Sequence, residues 1–490
     1  MSRAPFAARL VLPVAALELL LELALANRYG YHRDELYFRT AARHPAAGYD
    51  DQGPLTPFVG WVSEAIFGES PRGLRVVSAL VVAIVVVLVA LLARELGAGS
   101  AGQFVAAVAT AASAFVLAVG HLLSTATFDA LVWVAMLLVV ARILGGGDAR
   151  LWLAVGAIVG VGLQNKMLPL LLVAALAVGL AVDRRLLAVL RTPWLWAGVA
   201  IALVIWLPNL VWQGVHGWPQ LELADDIRND EAGESRATLV PLQLLLIGPF
   251  LVPLLGVGLW ALLRREALRP WRSLGIAYVA LLLLLFAVGG KPYYAAPFLL
   301  CLLAAGAVVV ERWLATPVRK VLIAAALVLT AALSVVIVLP VLPADSLEDT
   351  PIPDLNEDAI ETVGWPELVQ TVARVYGALP ASDRATAVVF TGNYGEAGAV
   401  DRFGPAYGLP RAYSGHNAYA RFGVPPGSSG PVIVLGYRDP SPDFVACTPA
   451  ATVDNGMGLE NEEQGGTVFV CERPRAPWST LWEELRHLDA

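Results

Sequence analysis

The chain has 490 residues, 57% of them hydrophobic and only 15% charged, with a mean hydropathy of +0.64. Soluble domains carry about 25% charged residues, which excludes an ordinary soluble globule, and a disordered chain never holds this much apolar material. The formal net charge of −7 averages two unlike parts: residues 343–490 hold 21 acids against 9 arginines, residues 1–342 hold 20 acids against 25 bases. A protein that crosses the membrane many times and ends in an acidic tail is the class that remains, with nothing in it that points to nucleic acid.

A bilayer-spanning helix takes about 20 mostly apolar residues. That criterion predicts about eleven spans, near 9–28, 73–93, 101–120, 127–143, 151–164, 167–183, 194–212, 239–262, 273–290, 292–310 and 320–340. Basic residues collect in alternate connections, at Arg3 and Arg9, at Arg94, Arg142 and Arg150, at Arg184, Arg185 and Arg191, at Arg264 to Arg272, and at Arg312, Arg319 and Lys320. The positive-inside rule then predicts a multi-pass plasma-membrane protein with a cytoplasmic N-terminus and an extracytoplasmic C-terminal domain. The expected division is a membrane domain over 1–342, with a long first external loop over 28–72, and an α/β domain over 343–490.

Within the spans, Glu18 and Glu22 stand at i, i+4 on one face and are read as a polar network turned toward the bundle interior. The acidic stretch 213–238, with Asp225, Asp226, Asp230 and Glu231, reads as a mobile or disordered external loop. In the tail, helices are expected over 365–378 and near 478–488, and strands over 386–391, 431–436 and 467–471. TGNYGEAGAVDRFG after the first of these strands reads as a strand–turn–helix, since it lacks the GxGxxG spacing of a dinucleotide site. His416 and Asn417 are candidate carbohydrate contacts. Cys447 and Cys471 lie where oxidation is permitted, although spacing alone does not pair them, and Cys301 sits within a span as a small hydrophobe.

The first external loop concentrates the ionisable residues. Residues 27–61 read NRYGYHRDELYFRTAARHPAAGYDDQGPLTPFVGW and contain His32, Asp34, Glu35, His44, Asp50 and Asp51 among aromatics and arginines. Sugar transfer uses one carboxylate to take the proton from an acceptor hydroxyl, and often a second to support it. Nearby Arg or Lys neutralises a leaving phosphate. The plainer reading is a solvated interfacial loop with incidental charges.

The order of these residues resembles the first external loop of the GT-C-type membrane glycosyltransferases. More narrowly, it is similar to the dolichyl-phosphate-mannose–protein mannosyltransferases and their bacterial relatives, including the aminoarabinose transferases. Asp34-Glu35 in RDELYF matches the family's Asp-Glu pair after the first span, and Asp51 in GYDDQGPL matches its second acid before a Pro-Leu element. Two departures stand out: Gly53 takes the place of a first proline, and Gln52 stands where aminoarabinose transferases carry a lysine. Asp129 in STATFDALVW, Lys166 in GLQNKMLPLLL and Lys291, Tyr293 and Tyr294 in GKPYYAAP fall in the family's order.

The resemblance implies an inverting transfer of a sugar from a polyprenyl phosphate to a lipid, glycan or protein acceptor. Asp34 would be the base, with Asp51 and Glu35 beside it. Lys166, Lys291, Arg33 and Arg28 would hold the donor phosphate, and Asp129, His121, Tyr293 and Tyr294 would contact substrate. No cofactor is implied and no metal-ligand spacing occurs. The competing class is a non-catalytic translocator or scaffold for lipid-linked sugars.

Overall fold

The computed structural model describes residues 3–427 and 430–489, apart from the side chains of Asp230 and Glu231. The chain divides into two compact units. One comprises the residues up to Ala26 together with Gln52–Thr56 and Arg75–Leu339; the other comprises Asn27–Asp51, Pro57–Leu74 and the chain from Pro340 onward. Most of the loop over residues 28–72 therefore folds in one unit with the C-terminal tail.

The first unit is helical. Six of its helices are long and apolar enough to cross a membrane: Pro71–Glu95, Thr125–Leu144, Pro193–Val215, Glu266–Val288, Pro292–Trp313 and Pro317–Val338. Two further predicted spans are broken, Ser100–Ala112 from Ala114–His121 by 58° and Ala232–Ile247 from Pro249–Arg264 by 92°. Ser113 caps the second half of the first pair. Gly248, at φ +94°, supplies the backbone conformation of the sharper bend. Helices occupy the other three predicted spans too. Leu151–Leu163 and Leu168–Val182 are short, and Ala8–Leu25 carries Arg9, Glu18 and Glu22. The count by length and apolarity is thus six, or eight if each bent pair crosses once.

The stretch read as a mobile loop over 213–238 is largely helix. After Trp218 in the left-handed region, one helix runs Pro219–Ile247. Its Leu, Ala, Glu and Arg residues are strong helix formers, although its first half forms no apolar run. The side chains of Asp230 and Glu231 lie outside the described residues. Glu18 and Glu22 do turn inward, 3% and 1% exposed. Glu22 Oε2 lies 3.2 Å from His121 Nδ1. The fully buried Arg75 places Nη1 3.4 Å from His121 Nε2 and donates to the Ala26 carbonyl at 2.9 Å.

The second unit is α/β. Its five-stranded sheet has the order β2-β1-β3-β5-β4, with β1 Val388–Thr391, β2 Ala412–Ser414, β3 Val432–Leu435, β4 Thr448–Thr452 and β5 Thr467–Cys471. β1 pairs in parallel with β2 and β3, whereas β5 runs antiparallel to β3 and β4. The β1–helix–β2 crossover uses Tyr394–Phe403 (the tail helix), within the TGNYGEAGAVDRFG motif. Trp365–Ala378 buries Trp365, Leu368, Val369, Val372 and Val375 along one stripe, as helical periodicity requires. Phe390, Val434, Phe444, Trp478 and Trp482 form a core, and Cys447–Cys471 closes a disulfide. Cys301 is free and buried.

Candidate active site

In the second unit, the loop segment RDELYFRTAAR forms a helix, Arg33–Arg43 (the loop helix). His32 caps it: its Nδ1 accepts from the Asp34 amide at 3.2 Å, while Glu35 Oε2 accepts from the His32 amide at 2.9 Å. Glu35 is fully buried in this capping box. Its place in the RDEL pair therefore serves the helix cap.

Asp34 is half-buried, and its Oδ1 accepts from the Tyr394 hydroxyl at 2.8 Å. Asp51 Oδ1 accepts from the Tyr37 hydroxyl at 2.6 Å. The two phenol rings stack on each other, with centroids 4.7 Å apart and planes at 29°. Two carboxylates 17 positions apart are thereby each held by a phenol, and the phenols brace one another. Burial, followed by the carboxylate beside each ring, holds both phenols well above their ordinary pKa, so they remain hydrogen-bond donors. Asp50, the neighbour of Asp51, is spent differently: it is 2% exposed and receives Arg421 through Nε and Nη2 at 2.6–2.9 Å.

The loop arginines are committed to protein partners. Arg28 Nη1 donates to the carbonyls of Pro340 and Val341, both at 2.9 Å. Arg33 reaches Glu462 at 2.6 Å and Glu361 at 3.4 Å, with its guanidinium over the Tyr394 ring. Neither stays in the donor-phosphate set. Both pin the loop to the tail, which a reading of local sequence does not reveal.

His32, Asp358 and Glu361 bring one ligand atom each to within 4.8 Å of one another, a set chemically suited to a divalent cation. The cap argues against that use. His32 Nδ1 is already an acceptor for the Asp34 amide, so the ring hydrogen sits on Nε2, which faces Glu361 Oε2 at 3.0 Å and Asp358 Oδ1 at 3.6 Å. A metal on Nε2 would move the hydrogen to Nδ1, against another N–H.

In the first unit, a second cluster gathers the other predicted residues. Asn165 Nδ2 donates to Asp129 Oδ1 at 3.1 Å and to the Thr125 carbonyl at 2.8 Å. Thr56 Oγ1 donates to Asn165 Oδ1 at 2.6 Å. The Gly53 amide donates to the Asn165 carbonyl at 2.8 Å and the Leu55 amide to the Gln164 carbonyl at 2.9 Å. The segment following Asp51 is therefore clamped onto the turn that carries Lys166.

Gly53 is explained here: a Cβ would collide with the Gln164 carbonyl, and a proline would lack the donated N–H. Lys166 Nζ lies 5.5 Å from the centre of the Tyr294 ring, which joins the GLQNK and GKPYYAAP segments. Lys291 precedes the 3₁₀ turn Pro292–Ala295 and is half-buried, and Tyr293 meets Tyr294 edge-on. Asp129, 2% exposed, holds the Asn165 clamp, and His121 lies between Glu22 and Arg75. Gln52 is 1% exposed, and neither atom of its side-chain amide has a hydrogen-bond partner among the described residues.

Residues 51–212 match the family described as dolichyl-phosphate-mannose-protein mannosyltransferase. No curated protein sequence matches the chain. Among solved structures, ArnT from Cupriavidus metallidurans bound to undecaprenyl phosphate is similar at 17% identity and a TM-score of 0.59, covering 94% of this chain and 98% of that one. Its apo state gives 16%, 0.57, 94% and 97%. Arabinofuranosyltransferase AftD from Mycobacteria gives 15% and 0.50 in one of its structures, covering 96% of this chain and 42% of that chain. The resemblance read from the first loop holds: this is a multi-pass membrane protein with the GT-C glycosyltransferase fold, and over residues 51–212 it carries the sequence pattern of the mannosyltransferase family.

Proposed function

We propose that the chain is a membrane glycosyltransferase that moves a sugar from a polyprenyl phosphate to an acceptor hydroxyl on the extracytoplasmic side, with its N-terminus cytoplasmic. The observation that carries this reading is the pair of phenol-held carboxylates at Asp34 and Asp51. With Oδ1 of Asp34 fixed by Tyr394, the half-buried carboxylate is assigned to take the proton. In a single inverting displacement, the acceptor oxygen bonds to the anomeric carbon and its proton passes to Asp34. The polyprenyl phosphate leaves with the electron pair of the broken C–O bond.

Lys166 and Lys291 are assigned to the donor phosphate, as compact cations suited to a phosphate point charge, with Tyr293 and Tyr294 beside them. The Gln52 amide supplies a neutral contact where aminoarabinose transferases have a lysine. The structure of ArnT with undecaprenyl phosphate supports this class of donor. Neutralising Asp34 as Asp34→Asn is expected to lower turnover by about 10²- to 10⁴-fold, the usual contribution of a general base, while binding of polyprenyl-phosphate sugar persists. Unchanged glycan transfer in that variant would sink the mechanism and return the chain to the translocator class.

A further inference from the structure

The loop helix and the tail helix lie side by side in the same direction. Gly395 and Gly398 make this approach possible, because a Cβ on Gly395 would stand 2.8 Å from the Arg33 Cβ, and one on Gly398 2.8 Å from the Leu36 Cβ. At the N-terminal end of the pair, Tyr394 meets Asp34. One heptad further along the tail helix, on the same face, stands Asp401. Its counterparts on the loop helix are Thr40, Arg43 and the C-cap His44.

A cavity of about 270 Å³ opens at this far end, with Arg43, His44, Asp401 and Arg411 among its lining and Pro405 and Pro410 as apolar walls. Its size falls just below the ~300–1,000 Å³ of drug-sized sites, which suits one small ring.

The groups around the cavity are held in place. Asp401 accepts from the Tyr419 hydroxyl at 2.7 Å and from the Ala412 amide at 2.8 Å. The Tyr419 hydroxyl oxygen also lies 3.3 Å from Thr40 Oγ1. His44 stacks on Phe422 at 4.5 Å and 10°, and its Nδ1 donates to the Thr40 carbonyl at 3.0 Å, leaving Nε2 as an acceptor. Arg411 is fixed by the Phe422 carbonyl at 3.0 Å and by the Tyr413 ring beneath its guanidinium. Donors and acceptors thus face one small space, as a polyhydroxylated ring requires. Among the lining residues two guanidinium groups stand against one carboxylate; Arg43 also faces Glu69, its Nη2 3.5 Å from Oε2, so Arg411 is the principal cation of the space.

We propose that this cavity is a distal acceptor subsite that binds one saccharide unit bearing an anionic group, a uronate or a sugar phosphate. The inference rests on the transferase reading and deepens it by naming the acceptor as a glycan chain. The loop helix sets the distance: ten residues separate Asp34 from His44, about 15 Å at 1.5 Å per residue. A lone acceptor sugar at Asp34 does not reach that far, so an occupant continuous with the acceptor has to extend over several units.

The test uses the full-length protein in detergent and measures equilibrium binding of uronate-containing oligosaccharides, length-matched neutral oligosaccharides and inorganic phosphate. Saturable binding of the uronate chains, at least about tenfold weaker in Arg411→Gln and also weakened in Arg43→Gln, supports the subsite, since tenfold corresponds to the loss of one good polar contact. Arg43 is exposed and serves as the variant that leaves the fold intact. Equal binding of neutral chains, binding of phosphate alone, or affinities indifferent to both arginines would overturn it. Binding measured in Asp34→Asn separates the two readings: the subsite predicts unchanged affinity there, whatever becomes of transfer.

Discussion

Two polar clusters of this protein use the same residue types for opposite ends. In the helical unit, Glu22, His121 and Arg75 are all nearly inaccessible, with Glu22 Oε2 beside His121 and Arg75 reaching His121 and a backbone carbonyl. In the loop-and-tail unit, Asp34 and Asp51 are only half-buried, and each is held through Oδ1 by a phenol. A charge buried at membrane depth must be compensated internally, and such a network is closed to substrate. A carboxylate held by a phenol at the edge of a site is oriented without being enclosed. The difference lies in exposure, not in residue identity.

The sharpest test sets Arg75→Met against Asp34→Asn. Removing Arg75 strips a buried cluster of its cation and is expected to cost about 3 kcal/mol of stability, read as a lower melting temperature and poorer yield in detergent. Asp34→Asn is expected to leave melting unchanged and remove turnover. If both variants melt alike and both keep activity, the distinction between the clusters fails.

Gly53→Ala probes the covalent link between the clusters' neighbourhoods. Its Cβ meets a main-chain carbonyl at Gln164 that has no rotamer to yield, so about 1–3 kcal/mol of strain is expected. Turnover should fall with it, because Asp51 and Gln52 immediately precede the clamped segment. Wild-type melting in this variant would show that the segment moves freely.

Tyr394→Phe is gentler. It deletes one hydroxyl from Asp34, a bond worth about 0.5–1.5 kcal/mol, and leaves the stack on Tyr37 in place. The expected result is a fall in kcat of no more than about tenfold with KM nearly constant. A larger loss than that of Asp34→Asn would assign the proton to the phenol.

The candidate base was legible because RDELYF and GYDDQGPL are contiguous words whose acids fall beside a predicted span. Its support was not. Tyr394 reaches Asp34 across 360 positions, and Arg28 and Arg33 are drawn away by Pro340, Glu361 and Glu462, contacts set by tertiary pairing alone. Glu35 is ambiguous for the converse reason, since a carboxylate three residues after an N-cap serves the helix and a base equally well in one dimension. In the tail, the apolar strands β1, β3 and β5 announce themselves. β2 has three residues, and β4, TPAAT, is small and largely exposed, so neither shows the alternation on which strand prediction rests.

The smallest effect concerns the tail helix that carries Tyr394. Its Glu396 completes a capping box with Asn393 and is 4% exposed. Burial, reinforced by Glu463, raises its pKa from 4.5 to about 8. Below pH 4.5 the carboxyl is neutral in folded and unfolded chains alike. Between 4.5 and 8 the unfolded chain ionises while the folded chain keeps its proton, so unfolding releases a proton and stability declines with rising pH, by at most about 1.4 kcal/mol per unit. Glu463, raised to about 7 by burial, contributes in the same direction. Glu396→Gln retains an oxygen for the Asn393 amide and cannot ionise. Its melting temperature is therefore expected to fall less steeply than wild type from pH 5 to 8, with the two proteins closest at the acid end. Parallel curves across that range would mean that Glu396 is already ionised in the fold, and that the helix bracing Asp34 tolerates a buried charge just as the membrane cluster does.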